Sequence, residues 1–340
     1  MPNETNIDTS SYKGVWCYVE QRHGKIIPAT YELLHIGRKL ADDLKEELCV
    51  ILMGNNIENE ANSFFEYGAD MVYVFNDAMF ENLTCGETHS QAIAELAASA
   101  KPNKILFPAT IIGRSLASRL AITLETGLVA DATEISVGEG GSLNITRPAY
   151  GGSILATVVS KKARPEMVTV RPMSYPKAQK TSPKQGKIEK PTYDASKWNV
   201  QSKFVKYVPE EGEVVDLSSA EKIVSGGRGL GKANGFEIIG TLAKEIGAAV
   251  GASRPAVDLG WIPYRHQVGL TGRTVKPKLY VACGISGQIQ HLAGMGQSDV
   301  IIAINKDPEC PMMKMANYSI EADVYEFIPL LVEEIKKRKS

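Results

Sequence analysis

The 340-residue chain is short of cysteine, of long apolar runs and of net charge, and each shortage removes a class of function. Its five cysteines stand at 17, 49, 85, 283 and 310 with no CxxC pair, so a zinc ribbon or a ferredoxin-type iron–sulfur site lacks its clustered thiolates. Apolar neighbours make Cys17, Cys49 and Cys283 small core residues, and a chain with 44% hydrophobic residues does not need a disulfide framework. No run of about 20 apolar residues is present to span a bilayer. The opening MPNETNIDTSSYK is polar and lacks the apolar core of a secretory signal. With 38 basic against 39 acidic side chains, the net charge of −1 lacks the positive excess that draws a protein to nucleic acid or anionic lipid. A cytoplasmic protein of two domains is expected from these features.

What is present begins with alternation. Val15–Val19, Cys49–Met53, Met71–Phe75 and Ile105–Phe107 read as buried strands, separated by amphipathic helices at Tyr31–Glu47, Glu58–Tyr67 and Glu87–Ala100. Such alternation implies a parallel sheet with right-handed crossovers. Beyond Asp131, the β-rich segments Ile135–Val137, Leu143–Ile145, Ile154–Val159 and Met167–Val170 are divided by Gly or Pro, as in an antiparallel meander added to that sheet. Residues 174–203 have the Lys, Pro, Ser and Gln content of a linker or of an extended strap, with solvated lysines. From Glu221 a second alternation runs through strands Lys222–Ser225, Ala248–Ala252, Lys278–Cys283, Val300–Asn305 and Tyr318–Ala322, with helices at Gly235–Ile246 and Val324–Arg338. The expected fold is therefore α/β in two domains. Residues 1–207 form a parallel-sheet domain with added antiparallel strands, and residues 208–340 form a doubly wound domain.

A doubly wound sheet binds its ligand outside the carboxyl ends of its strands, and those ends can be read in order. The first opens into SGGRGLGK, whose glycines allow close approach of backbone to phosphate but also suit a plain turn. Gly226, Gly231 and Lys232 match GxxxxGK, yet Ala233 replaces the magnesium-binding hydroxyl of a P-loop. The second opens into GASRPAVD, with Ser253 at an N-cap position and Arg254 at the ligand edge, either as an exposed side chain or as a fixed cation for an anionic ligand. HQVGLTG follows at residues 266–272, and GISGQIQHLAGM at 284–295. There Gln288 and His291, three apart, are expected on one helical side, and a hydrogen-bonded structural histidine is the plainer reading of His291. Asn305 and Asp323 end the fourth and fifth strands, where each alone could serve as a turn or cap residue. Polar and glycine residues at five consecutive strand ends point to a large dinucleotide site. An NAD-type GxGxxG with its downstream acid is not completed, and no acid–base pair, nucleophile or metal cluster stands out, which suits a carrier better than a substrate-transforming enzyme.

VSGGRGLG, AAVGASRPAVD, QVGLTG, GISGQIQHLAGM, AINKDPECP and ADVYE, in this order, resemble the α subunit of electron transfer flavoproteins. FPAT-x₂-GRSLASRLA at 107–121 extends the likeness over nearly the whole chain. The resemblance implies that the second domain holds FAD. Arg228 and Ser253 then lie along the cofactor, Arg254 sits beside the isoalloxazine, and Gln267, Val268, Gly269, Leu270, Thr271 and Gly272 line it, with Thr271 near N5. Ser286, Gly287, Gln288, Ile289, Gln290 and His291 form the next loop, with His291 near O2, while Asn305, Asp323 and Val324 serve the adenosine half. The family more often has Gln or Ser at the position of Leu270, so a side-chain amide contact is lost there. Cations and donors near the ring stabilise its anionic form, which is how a protein tunes a flavin.

The resemblance also implies a heterodimer with an electron transfer flavoprotein β subunit and delivery of electrons to an acyl-CoA dehydrogenase or a similar flavin dehydrogenase. A swing of the FAD domain about residues 205–215 is part of the same expectation. GWIPYRHQVGLTG is similar to the version in anaerobes whose β subunit carries a second FAD, oxidises NADH and bifurcates its electrons. The competing reading is a regulatory module that holds adenine nucleotides without redox work, and it would be colourless.

Overall fold

A computed structural model describes residues 9–22, 24–81, 86–149, 154–160, 163–182, 184–202, 205, 217 and 220–339. By its internal contacts the chain divides into Met1–Tyr207 and Val208–Ser340. The expected hinge at 205–215 lies outside the described residues except for residue 205, and so does Cys85.

The first unit contains β1 (Val15–Tyr18), β2 (Gln21–Arg22), β3 (Lys25–Ile26), α1 (Pro28–Leu44), β4 (Leu48–Gly54), β5 (Met71–Asn76), α2 (Gly86–Ala100) and β6 (Lys104–Pro108). It continues with α3 (Ile111–Thr123), β7 (Leu128–Ala132), β8 (Glu134–Val137), β9 (Leu143–Ala149), β10 (Ile154–Val159), β11 (Glu166–Val170) and β12 (Lys187–Glu189). Seven strands pair in parallel in the order β12-β5-β4-β1-β6-β11-β7. The apolar runs are continuous because both faces are covered: Val15, Cys17 and Val19 enter one core and Trp16 and Tyr18 the other. Glu58–Tyr67, expected as an α-helix, closes as 3₁₀ turns; its i, i+3 spacing of Ala61, Phe64 and Tyr67 satisfies either helix type.

The antiparallel meander is smaller than the sequence suggests. Only β8, β9 and β10 form a separate three-stranded antiparallel sheet, whereas β11 enters the main sheet in parallel between β6 and β7. An apolar run records burial but not its partner. A buried charge cluster accompanies that insertion: Lys104 Nζ lies 2.5 Å from Glu166, whose other oxygen accepts from Leu143 N at 2.9 Å, and Arg164 lies 3.3 Å away. Lys104 also donates to Gly141 O at 2.8 Å, which ties the small sheet to the large one. Residues 174–182 and 184–202 run along this unit as a strap, with β12 paired to β5 and Tyr193 stacked on Trp198 at 5.3 Å.

The second unit contains β13 (Lys222–Gly226), α4 (Gly235–Ile246), β14 (Ala249–Ala252), α5 (Arg254–Asp258), β15 (Leu279–Cys283), α6 (Ile289–Met295), β16 (Val300–Asn305), α7 (Pro311–Met315), β17 (Tyr318–Glu321) and α8 (Val324–Lys339). Its five strands are parallel in the order β14-β13-β15-β16-β17. Alternate residues again feed two cores: Ile223, Tyr280 and Ala282 enter one, and Val224, Val281 and Cys283 the other. The chain runs outward from β13 to β14 and then returns past it to β15. The crevice of this doubly wound sheet therefore opens at the carboxyl ends of β13 and β15.

Candidate functional site

At that crevice two glycine loops meet backbone to backbone. Gly227 N donates to Cys283 O and Gly229 N to Gly284 O, each at 2.9 Å. A Cβ on Gly227 would stand 2.3 Å from Gly284 O, and one on Gly229 would stand 2.7 Å from the same atom. Glycine is required here by the contact itself, and the contact leaves main chain facing the crevice where side chains would otherwise fill it. Arg228 is exposed on the turn. Lys232 lies over the Tyr325 ring at 5.9 Å, and Tyr325 donates to Leu230 O at 2.6 Å, so the lysine of the partial P-loop pattern packs on α8.

The end of β14 carries the second part. Ser253 is 5% exposed, and its hydroxyl has no hydrogen-bond partner although it occupies the N-cap of α5. Arg254 is largely exposed and bonds Asp258 at 3.3 Å. Val268 N donates to Ala252 O at 2.9 Å, Arg273 N to Gln267 O at 2.7 Å and Leu270 N to Gln290 O at 2.7 Å. Gln267 also holds Thr271 through a side-chain bond of 3.1 Å, and Tyr264 donates to Thr271 O at 2.6 Å. Gly294 permits the loop to seat, since a Cβ there would lie 2.4 Å from Gly269 Cα. These bonds fix Gln267–Gly272 as a rigid turn that presents Leu270 and Thr271 outward.

After β15, Gly287 takes φ 83°, and Met312 N donates to Ser286 O at 3.1 Å. Ser286, Gln288, Ile289 and Gln290 are exposed. Gln288 and His291 do not share a side, because Gln288 is the extended N-cap of α6 (ψ 146°) and the helical spacing begins one residue later. His291 turns inward, with Nε2 2.9 Å from the Tyr280 hydroxyl, and burial pushes its pKa down to about 4. Asn305 donates to Ile285 O at 3.1 Å and accepts from Asp307 N at 3.1 Å, bracing the same loop. Asp323 accepts from Tyr325 N and pairs with Lys306, and these contacts, Lys306 foremost, hold its carboxyl below the usual range. Val324 is buried in the core and can offer only backbone.

The structure thus brings the residues singled out in the sequence to one edge of one sheet. Sequence reasoning missed Tyr264, Gly284 and Tyr280. Gly284 could have been paired with Gly227 from its place at a neighbouring strand end, whereas Tyr280 in an apolar strand gives no signal. Among the described residues no cluster of His, Cys, Asp or Glu could hold a metal, and no helix is long and apolar enough to cross a membrane. A cavity of about 700 Å³ also opens at the amino edge of the first sheet, but Arg38 there is engaged by Asp70, and Glu46 by Gly14 N and Asn103. The glycine cradle and the unpartnered Ser253 hydroxyl fit an extended, polar dinucleotide such as FAD.

Residues 15–196 match the family model described as the electron transfer flavoprotein domain, and residues 216–296 the one described as the electron transfer flavoprotein FAD-binding domain. The chain is 47% identical over 330 residues to the electron transfer flavoprotein subunit alpha of Thermoanaerobacterium thermosaccharolyticum, covering 97% of this chain and 100% of that one. It is 42% identical over 337 residues to the subunit of the same name in Megasphaera elsdenii, covering 98% and 99%. A third relative, named acryloyl-CoA reductase electron transfer subunit beta in Anaerotignum propionicum, is 38% identical over 361 residues, covering 98% of each.

Proposed function

This chain belongs to the electron transfer flavoprotein α-subunit family and binds FAD for electron transfer, and we propose that its FAD lies along the carboxyl edge of the second sheet. Two features carry this reading: glycine loops closed backbone to backbone, and a buried Ser253 hydroxyl without a partner beside them. Main chain at Gly227–Gly229 and Gly284–Gly287 would approach the pyrophosphate, with Arg228 and Ser253 beside it. The turn Gln267–Gly272 would floor the isoalloxazine, with Arg254 as the nearby cation, Thr271 near N5 and the neutral His291 near O2. Ser286 to Gln290 would continue along the cofactor to Asn305, Asp323 and Val324 at the adenosine half. Bound FAD supplies the redox chemistry, while the protein orients it and sets its potential.

The partners in this reading are a β subunit on the donor side and an acyl-CoA dehydrogenase or similar flavin dehydrogenase as acceptor. Electrons would enter as a pair from NADH at a β-subunit flavin and be split there, one passing through the α-subunit FAD to the dehydrogenase and the other to a separate one-electron acceptor of lower potential. The reading is supported by the likeness of GWIPYRHQVGLTG to bifurcating versions and by the relative named as a subunit of an acryloyl-CoA reductase. A cytoplasmic location and a place in acyl-CoA oxidation or reduction go with it. The test is to co-purify the chain with its β subunit, count flavins and reduce them stepwise. Two flavins per heterodimer, with NADH reducing both, are expected. One flavin would remove bifurcation, and a colourless complex that ignores added FAD would leave only the non-redox nucleotide module.

A further inference from the structure

Tyr280 lies wholly buried in β15, and its ring meets that of His291 edge to face at 6.1 Å, with the hydroxyl 2.9 Å from Nε2. Burial raises the phenol's pKa, so its proton stays on oxygen at neutral pH. The structure gives this hydroxyl His291 Nε2 as its hydrogen-bond partner, and the equally buried Ser225 hydroxyl nearby makes no hydrogen bond of ordinary geometry. Tyr280 therefore gives its proton to that nitrogen, because a buried hydroxyl proton left without an acceptor is destabilising and His291 Nε2 is the acceptor in reach. Burial keeps the imidazole neutral, and a neutral ring whose Nε2 accepts carries its proton on Nδ1. Nδ1 is buried without a hydrogen bond of ordinary geometry, although the Val268 backbone is close enough to favour a proton there.

We propose that Tyr280 is a positioning residue that locks His291 as the Nδ1–H tautomer, so that a donor and not a lone pair faces the turn at Val268. The inference rests on the reading that FAD lies on this turn, where such a donor would meet a carbonyl of the ring system. Tyr280 touches no cofactor in this account; it acts through His291.

The test is ¹⁵N NMR of the full-length chain with labelled histidine, before and after loading with FAD, using His291→Gln to assign the resonances. In the wild-type chain Nδ1 should be protonated and Nε2 bare. Tyr280→Phe should redistribute the ring toward Nε2–H and weaken FAD binding by about tenfold. A wild-type ring protonated on Nε2, or a Tyr280→Phe ring unchanged in tautomer, would overturn the proposal. If Tyr280→Phe fails to fold, the wild-type spectrum decides, and a ring protonated on Nε2 or divided between the two tautomers overturns the lock. If FAD binds yet leaves both His291 resonances unmoved, the tautomer lock stands while the placement of FAD on this turn fails.

Discussion

The buried polar side chains of the first unit include Glu20, Glu32, Lys104, Arg164 and Glu166, whereas those described in the second are Ser225, Ser253, His266, Gln267 and His291, all uncharged at neutral pH. Both units are parallel sheets covered on two faces, so the difference does not come from architecture. In the first, buried charges close on groups far away in sequence: Glu32 accepts from Met173 N at 2.5 Å, and Lys104 reaches Glu166. Such groups cannot change partner without a large desolvation cost, and they staple. In the second, neutral hydroxyls, amides and imidazoles can exchange one partner for another at a far smaller cost. Buried neutral polarity at a strand end is the signature of a place kept for a ligand, whereas buried charge is the signature of a seam.

The largest way to break this contrast is Lys104→Met, which takes from the buried Glu166 the nearer of its two cations and leaves it Arg164 at 3.3 Å. It should destabilise the first unit by about 3–5 kcal/mol in denaturant unfolding while leaving FAD absorbance per folded chain unchanged. A loss below about 1 kcal/mol would mean that the cluster does not act as a staple. Next comes acid. The folded pKa of His291 is about 4 against 6.5 unperturbed, so between those values the unfolded chain binds a proton that the folded unit refuses. Stability is therefore fully present above about pH 6.5 and falls on the order of 1 kcal/mol per pH unit toward pH 4. His291→Gln should flatten that slope in a titration of unfolding midpoints, and an unchanged slope would refute the assignment.

Smaller effects sharpen the contrast at the site itself. Ser253→Ala should weaken FAD binding by about 1 kcal/mol, roughly fivefold by equilibrium dialysis, without lowering the apoprotein's melting temperature. If the melting temperature falls while affinity holds, Ser253 belongs to the scaffold. Arg254→Ala should lower the first flavin potential, but only by about 40 mV or less, because a water-exposed charge at about 4 Å is worth about 1 kcal/mol. Its exposure and its bond to Asp258 argue for the small end of that range, and spectroelectrochemistry with no measurable change would remove its role.

Much of this was legible in the sequence, for reasons that differ by residue. Continuous apolar runs gave five strands in each sheet, because strands buried on both faces leave no other pattern, but missed the first sheet's half-exposed edge strands β7 and β12. Pairing was not legible: Met167–Val170 looks like its antiparallel neighbours and yet joins the parallel sheet. At the site, the glycines, Ser253 and the Gln267–Gly272 turn are visible as residues that special backbone geometry demands. Gln288 and His291 mislead, because helical spacing says nothing about where the helix starts. Tyr280 is invisible, since what matters is the direction of its hydroxyl.

The strap has a practical consequence for anyone who wishes to dissect the gene. Composition would invite a cut near residue 174, just where the Lys- and Pro-rich stretch begins. A fragment ending there would lose β12, bare the edge of β5 to pairing with other chains, and strip Tyr193 and Trp198 from Phe80. Glu87 accepts from Gln201 N, Ser202 N and the Ser202 hydroxyl at 2.8 to 2.9 Å, so the natural place to cut falls after Ser202.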